Sequence, residues 1–543
     1  MNRVAQYLQQ HLDGEVMTSA DARNYFSTDA SIFKVVPQIV IYPRSEADLR
    51  KIAKFSWQLA ERGRNIPITA RGLGTDFNGA SLGSGLMVNF TAHLSKLLTL
   101  DPNKGITTVQ PGINYGALQQ IMMTHGHYFP SAPSSADYST IGGAVANNAS
   151  GRRSVKYGQT KEFVNGLRVV LANGEVIETG LLNKKMLNKK KGLATLEGEI
   201  YRTLDSIITD NSQLLEQTKP LLASNNSGYD IWSVKDSKGN FDLTKLLVGS
   251  QGTLGILSEI TLEAELFNPT NSLVISYFDS LDKVSEAIPQ IKSLEPSSIE
   301  MIDSNLLDFL DATSPNHLNK IIKKPHPKVI LLTEFDDPSP RKQKKKVKKI
   351  FKMLEGKALK NIVTNDQFDQ EDYWKMRDSA AAVMWQSVDA KKPLPIIGDA
   401  VVPTEKINEY LVHFYRLCDE FGIDKSVWGH ASDGNIQNMP KFDLSQLGDR
   451  QKIFKLMNDY FKLVMDLGGN ISGQYNDGRL RGPFLELAYG TQLYDIFKAI
   501  KQLFDPYDML NPGVKVGVNM ATIQKLVRPD YDMAHFYNYM PRT

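Results

Sequence analysis

The chain has 543 residues, 41% of them hydrophobic and 23% charged, a balance found in soluble globular proteins of two or more domains. Its net charge of +3 gives no reason to expect nucleic acid as a partner. No apolar run approaches the ~18 residues of a membrane-spanning helix. Cys418, the single cysteine, excludes a disulfide within the chain and a four-thiolate iron–sulfur cluster. It fits a reducing cytoplasm, as does a polar N-terminus without the apolar stretch of a signal peptide.

In chain order, residues 1–32 read as a helical lead-in. Residues 33–265 alternate apolar strands with helices and form a first domain, in which 181–195, rich in lysine and asparagine, reads as an exposed loop. Composition shifts near Phe267-Asn268-Pro269-Thr270, where a second domain, 266–470, begins. There 272–278, 297–303 and 328–335 read as strands with helices between them, an α+β arrangement. Residues 341–352, R-K-Q-K-K-K-V-K-K-I-F-K, read as an amphipathic helix with a basic outer face. That face is either simply solvated or a docking surface for anionic lipid or an acidic electron-transfer partner. Residues 471–543 form a last segment.

Three glycine-rich segments punctuate the first domain. Residues 67–85 place Gly72, Gly74 and Gly79 directly after an apolar strand. Glycine permits positive φ there, and successive N–H groups of such a turn can cradle an anion. The spacing is neither a Walker loop nor a helix-opening Gly-x-Gly-x-x-Gly. Residues 139–158 carry Gly142, Gly143, Gly151 and Gly158, and 246–257 read L-L-V-G-S-Q-G-T-L-G-I-L. For one segment tight helix–sheet packing would suffice; three in order argue for backbone lying against a large flat ligand.

These segments resemble the FAD-binding domain of the vanillyl-alcohol-oxidase-type (PCMH-type) flavoproteins. The match includes Y-F-S-T-D-A-S (25–31), V-Q-P-G (109–112) and N-G-E-V-I (173–177). W-K-M-R (374–377), G-H-A-S-D-G-N (429–435), D-G-R-L-R-G-P-F-L (477–485) and F-D-P-Y-D-M-L-N-P-G (504–513) resemble the C-terminal half of FAD-linked oxidases. That subgroup includes D-lactate, D-2-hydroxyglutarate and glycolate dehydrogenases. The resemblance covers roughly 25 to 520 and implies an α+β fold: a two-subdomain FAD-binding domain over 33–265, a cap over 266–470, and a segment from 471 onward returning to the flavin. It implies FAD contacts at Arg71, Gly72, Leu73, Gly74, Thr75, Asp76 and Gly79 in the first segment. Pro133 would follow, and the second would supply Ser139, Thr140, Gly142, Gly143, Asn147, Asn148 and Gly151. Gln251, Gly255, Ile256 and Asn511 complete the set. The 71–79 loop has no histidine of the kind that attaches flavin covalently in relatives, and His93, His125 and His127 lie outside the attachment motif, so a noncovalent FAD is expected.

Oxidising a 2-hydroxy acid needs a cation for the carboxylate and a group for the hydroxyl proton. Arg377, in W-K-M-R, is the candidate carboxylate clamp; its alternative role is a salt bridge to Asp372 or Asp378. The metal site departs from the family. Relatives ligate zinc with two histidines and a glutamate; here only His430 survives, with Gln437 and Gln474 at the other positions. Amide oxygens are weak neutral ligands, so no metal is expected. The histidine proposed as base in relatives is Tyr475 here. A phenol, with an ordinary pKa near ~10, is a poor base unless a cation lowers it, and Tyr475 otherwise packs over the flavin ring. An imidazole, ordinarily near ~6.5, suits the task at His430. The leading reading is an FAD-dependent oxidoreductase acting on a small hydroxylated anionic substrate, with its electron acceptor a quinone, an iron–sulfur or other redox protein, or oxygen. The alternatives are a flavin-binding subunit or pseudo-enzyme, and a metal-free sugar or aldonolactone oxidase.

Overall fold

The computed structural model describes residues 3–313, 321–385, 390–423 and 425–532. The tail 533–543 of the expected last segment lies outside them.

The first sheet runs Glu15–Met17, Ile39–Tyr42, Leu86–Asn89, Ile68–Arg71. Its last three strands are parallel. The crossover helix Glu46–Ala60 is capped by Ser45, whose hydroxyl accepts from the Asp48 N–H, and it buries Leu49, Ile52 and Ala53. The expected lead-in is more than helical. Arg3–His11 is a helix, but Glu15–Met17 pairs antiparallel with Ile39–Tyr42 and extends the sheet.

A second, antiparallel sheet runs Leu97–Asp101, Ile106–Val109, Ile256–Glu263, Val164–Val170, Val176–Glu178. In its central strand Ile256, Ser258, Ile260 and Leu262 are buried, while Leu257, Glu259 and Thr261 are half-buried and Glu263 is exposed. That alternation is expected where one sheet face meets the core. The expected loop 181–195 instead contains the helix Lys184–Lys191. Asn183 caps it by accepting from the Met186 N–H, and Leu187 is buried under it. Lys190 pairs with Glu197, and Lys191 with Asp205, which offsets the lysine–lysine repulsion that made the stretch read as a loop.

The third sheet has the order Lys360–Thr364, Ser272–Phe278, Val329–Phe335, Ser298–Asp303, Trp428–His430, Asn435–Gln437, Ala400–Val401, and its pairings are antiparallel. Helices Leu281–Lys292, Ser304–Thr313 and Pro340–Met353 follow its strands as read from sequence. Val329–Phe335 is buried throughout, including Glu334.

The second glycine-rich segment docks the third sheet onto the first domain. Arg153 grips Glu334 with two hydrogen bonds of 2.8 Å, Ser154 donates to Asp433 at 2.5 Å, and Lys156 bonds Asp336 at 2.5 Å. Burial alone would raise the Glu334 carboxyl; the Arg153 guanidinium outweighs it and holds Glu334 at about 2. The chain beyond 470 returns to the first domain. The Asn476 amide donates to the carbonyls of Asn147 and Gly249, and Asn511 donates to those of Ala80 and Gln251. No described helix is long and apolar enough to cross a membrane.

Candidate active site

A cavity of about 480 Å³ lies where the three glycine-rich segments meet the third sheet. The turn after Arg71 leaves the carboxyl end of a parallel strand, the usual ligand position in such sheets. Gly72, Leu73, Gly74, Thr75 and Asp76 line the cavity. None of the backbone N–H groups of residues 72–76 donates to a described residue. A run of free N–H groups facing a cavity is a ready cradle for a pyrophosphate, so the residues present fit FAD. Gly74 holds φ at +77°, and a Cβ there would sit 2.2 Å from Arg71 Nη2.

Pro133 also lines the cavity, as do Ser139, Thr140, Gly142, Gly143, Asn147 and Gly151 of the second segment and Gln251 and Gly255 of the third. Thr140 caps the helix Ile141–Asn147 by accepting from the Gly143 N–H. Asn147 donates to Asp76 Oδ1 at 3.3 Å and accepts from Gln251 Nε2 at 2.9 Å.

Four expected FAD contacts lie off the cavity wall. Gly79 packs on Phe33, where a Cβ would meet the ring at 2.7 Å. Asn148, left-handed at φ 51°, spends its amide on Gln159 and Asn226. Ile256 is buried in the core under the first sheet. Asn511 bridges Thr69, Ala80 and Gln251. Gln251 reaches the wall but spends its amide on protein, accepting from the Gly478 N–H at 2.8 Å besides donating to Asn147. These residues are spent on packing and on hydrogen bonds between neighbouring segments.

Arg377, His430 and Tyr475 all face the same cavity, and a residue not singled out from the sequence joins two of them. Glu300 stands directly across from His430 in the antiparallel pair of Ser298–Asp303 with Trp428–His430. Its Oε1 lies 2.5 Å from His430 Nδ1, and its Oε2 accepts from Arg377 Nε at 2.6 Å. Burial pushes the Glu300 carboxyl up, but the charges of His430 and Arg377 outweigh it and hold Glu300 below the usual carboxylate range. An ionised Glu300 accepts from Nδ1–H, which leaves His430 Nε2 as the ring nitrogen able to take a proton. Asp378 Oδ1 lies 3.6 Å from Arg377 Nη1. Arg377 is thus tied chiefly to Glu300 rather than to the expected neighbours. The one sequence signal for Glu300 is a carboxylate between apolar residues in mid-strand, in S-I-E-M-I-D.

The segment bearing Gln474 and Tyr475 is held by Asp399, fully buried at φ 59°. Asp399 accepts from the N–H groups of Gln474 and Tyr475 and from the Ser472 hydroxyl. The Tyr475 ring meets Phe77 edge-on at 5.0 Å. Burial, then the Asp399 charge, pushes the Tyr475 phenol above its ordinary value despite Arg377 and Arg481. That direction makes it a still poorer base at neutral pH than an ordinary phenol.

The zinc set of relatives does not fit these residues. Gln437 Oε1 accepts from the Asp399 N–H at 3.1 Å, and a neutral amide is a weak ligand even when unengaged. Among the described residues no three His, Cys, Asp or Glu side chains are grouped to hold a metal.

The fold and the cavity define a two-domain flavoprotein. The model of the FAD binding domain matches residues 37–180, and that of the FAD linked oxidases, C-terminal domain, matches 268–514. The chain belongs to the FAD-linked oxidases, and FAD is its cofactor. It is 28% identical over 525 residues to D-2-hydroxyglutarate dehydrogenase of Escherichia coli (strain K12), covering 94% of this chain and 51% of that protein. The chain therefore spans about half the length of the curated D-2-hydroxyglutarate dehydrogenases it matches. It is 26% identical to glycolate oxidase subunit GlcD of Bacillus subtilis (strain 168), covering 90% of this chain and 92% of that one. Among solved structures, p-cresol methylhydroxylase with substrate bound shares the fold at TM-score 0.68 and 14% identity, over 95% of this chain and 96% of that one.

Proposed function

We propose that the chain is an FAD-dependent dehydrogenase of a small anionic 2-hydroxy acid. The observation that carries this reading is the Glu300 carboxylate binding His430 and Arg377 together in the cavity that also holds the glycine cradle. The names of the relatives, which act on D-2-hydroxyglutarate, D-lactate and glycolate, point the same way.

Residues 72–76 would hold the pyrophosphate of a noncovalent FAD, and Thr140, Gly142, Gly143 and Gly151 line the same cavity. The chemistry that bound FAD would supply is an acceptor for the hydride leaving the substrate's C2. Arg377 binds the substrate carboxylate with its terminal nitrogens, while Glu300 fixes the guanidinium through Nε. His430 Nε2 takes the hydroxyl proton, and Glu300 stabilises the imidazolium that forms. Tyr475 stays a neutral phenol. A panel of 2-hydroxy acids, read by anaerobic bleaching of the flavin's visible absorbance, tests the reading. Bleaching by a member of the panel is expected; none by any member would favour the flavin-binding subunit or pseudo-enzyme.

Asp76 makes FAD affinity pH-dependent. Burial, then the nearby Asp29 charge, pushes its carboxyl up to about 7. Below that pH Asp76 is neutral and tolerates the anionic cofactor; above it the carboxylate repels the pyrophosphate. FAD affinity is expected to fall as pH rises from 6 to 8, and to fall less in Asp76→Asn. Equilibrium titration of the apoprotein, followed by quenching of free-flavin fluorescence, measures both.

We further propose that the helix Pro340–Met353 docks on an anionic lipid surface. Arg341, Lys342, Lys344, Lys345, Lys348, Lys349 and Lys352 are exposed on it, and among the described residues none of these has a carboxylate partner. Salt-sensitive sedimentation with vesicles rich in phosphatidylserine, but not with neutral ones, is expected.

A further inference from the structure

A small anionic 2-hydroxy acid can carry one carboxylate or two, and the cavity wall holds a cation that tells them apart. The second glycine-rich segment bears Arg152, Arg153 and Lys156. Two of them are spent between domains, Arg153 on Glu334 and Lys156 on Asp336. Arg152 goes instead to the helix Gln367–Trp385, which carries Arg377. Its guanidinium lies 4.1 Å from the centre of the Trp374 ring, and its Nη1 is 3.6 Å from Asp378 Oδ2. Trp374, Arg377 and Asp378 stand at i, i+3 and i+4 and so share one face of that helix. Asp378 Oδ1 is also 3.6 Å from Arg377 Nη1, so one carboxylate stands between the two guanidinium groups. Arg152, Arg377 and Asp378 all line the cavity.

Arg152 is placed but not spent. At 3.6 Å its pairing with Asp378 is longer than a hydrogen bond, between side chains 33% and 39% exposed, and such pairs are weak. Its guanidinium donates to no described residue, and with a third of the side chain exposed its donors can be reached. Stacking on an indole fixes the plane of a guanidinium and leaves its edge as a two-toothed fork for a carboxylate. We infer that Arg152 binds the second carboxylate of a dicarboxylic 2-hydroxy acid while Arg377 binds the one beside the reacting carbon, and that it thereby selects dicarboxylic over monocarboxylic substrates. This rests on the dehydrogenase reading. A monocarboxylic acid would lay an alkyl end against the fork, displacing water from its donors without replacing it. A second carboxylate supplies that partner. The Asp378 charge beside the fork sets the kind of anion, because it repels a phosphate dianion more than a singly charged carboxylate.

The test uses the FAD-loaded protein with 2-hydroxyglutarate and 2-hydroxyvalerate, which share a five-carbon chain and differ in the second carboxylate, each supplied as both enantiomers. The parent's kcat/KM for flavin reduction is expected to favour 2-hydroxyglutarate by about tenfold or more, the size of a charge-assisted hydrogen bond. Glutarate and valerate form a non-reacting pair, read by perturbation of the flavin spectrum, and the same preference is expected in their affinities. Arg152→Gln removes the charge and is expected to lose about tenfold of the preference in both pairs, with flavin content kept. Arg152→Met, a second neutral variant in case the first fails to fold, should do the same. A merely structural role would weaken both members of each pair alike and leave their ratio unchanged. If 2-hydroxy acids reduce the parent without preference, or if the neutral variants keep the parent's preference, the inference is overturned while the dehydrogenase reading stands. If no 2-hydroxy acid reduces the parent, that reading falls, and the glutarate and valerate affinities still decide Arg152. A parent that prefers 3-phosphoglycerate to 2-hydroxyglutarate overturns the assignment to a carboxylate.

Discussion

Gly74→Arg should give a folded, colourless protein. Gly74 sits at φ +77°, where a side chain is strained. Its Cβ would lie 2.2 Å from Arg71 Nη2. That guanidinium cannot step aside cheaply, since it donates to the Thr28 carbonyl at 2.8 Å and lies over the Phe26 ring. The turn must open, and the backbone of residues 72–76 then no longer lines the cavity as it does in the parent. The core strands behind the turn are untouched, so folding should survive. The parent should purify yellow, and acid precipitation should move its flavin into the supernatant, as a noncovalent cofactor requires. The variant should show no flavin absorbance. Added FAD should raise the parent apoprotein's melting temperature and leave that of the variant unchanged, because only a bound ligand stabilises, by ~2.7 kcal/mol at a hundredfold excess over Kd. A yellow variant with the parent's flavin content would refute the cradle.

What could be read from the sequence divides along physical lines. Local pattern fixes local structure. Ser272–Phe278 and Leu281–Lys292 lie where apolar runs and periodicity put them, and the glycine turns face a cavity as their backbone freedom suggests. Direction of a side chain is not local. Gln251 and Asn511 sit in motifs that resemble cofactor contacts, yet their amides turn to backbone carbonyls and N–H groups of other segments. Glu300 was invisible as a site residue because its meaning comes from His430, 130 residues away in sequence and directly opposite in the sheet. Arg377 was legible as a functional cation, but the residue that orients it was not. Lys184–Lys191 misled for a related reason, since the carboxylates that neutralise Lys190 and Lys191 come from the following helix.

The proton separates His430 from Tyr475. His430→Ala should slow flavin reduction by roughly the 10²–10⁴-fold expected for a lost acid–base group. The loss should fall on the reduction rate, with FAD content kept, because the imidazole contacts Glu300 and not the glycine cradle. Tyr475→Phe should do far less. Its phenol is held protonated by burial and then by the Asp399 charge, so removing the hydroxyl takes away no base, and the phenyl ring keeps its edge-on contact with Phe77. The pH profiles sharpen the contrast. In the parent the reduction rate should show its ascending limb well below the alkaline range in which the buried Tyr475 phenol would ionise, as a base must be unprotonated to act. Tyr475→Phe should keep that limb where it is, whereas a tyrosinate base would have put the rise at alkaline pH and the variant would have lost it. Glu300→Gln probes the link between the two cationic side chains. An amide cannot accept from both His430 Nδ1–H and Arg377 Nε–H, since one of its two atoms is a donor. It should therefore loosen either the ring or the guanidinium, and lower the reduction rate. Stopped-flow reduction across pH, with the parent and these three variants side by side, reads all of this. A Tyr475→Phe protein as slow as His430→Ala, with its limb abolished, would return the proton to the phenol and overturn the assignment of His430.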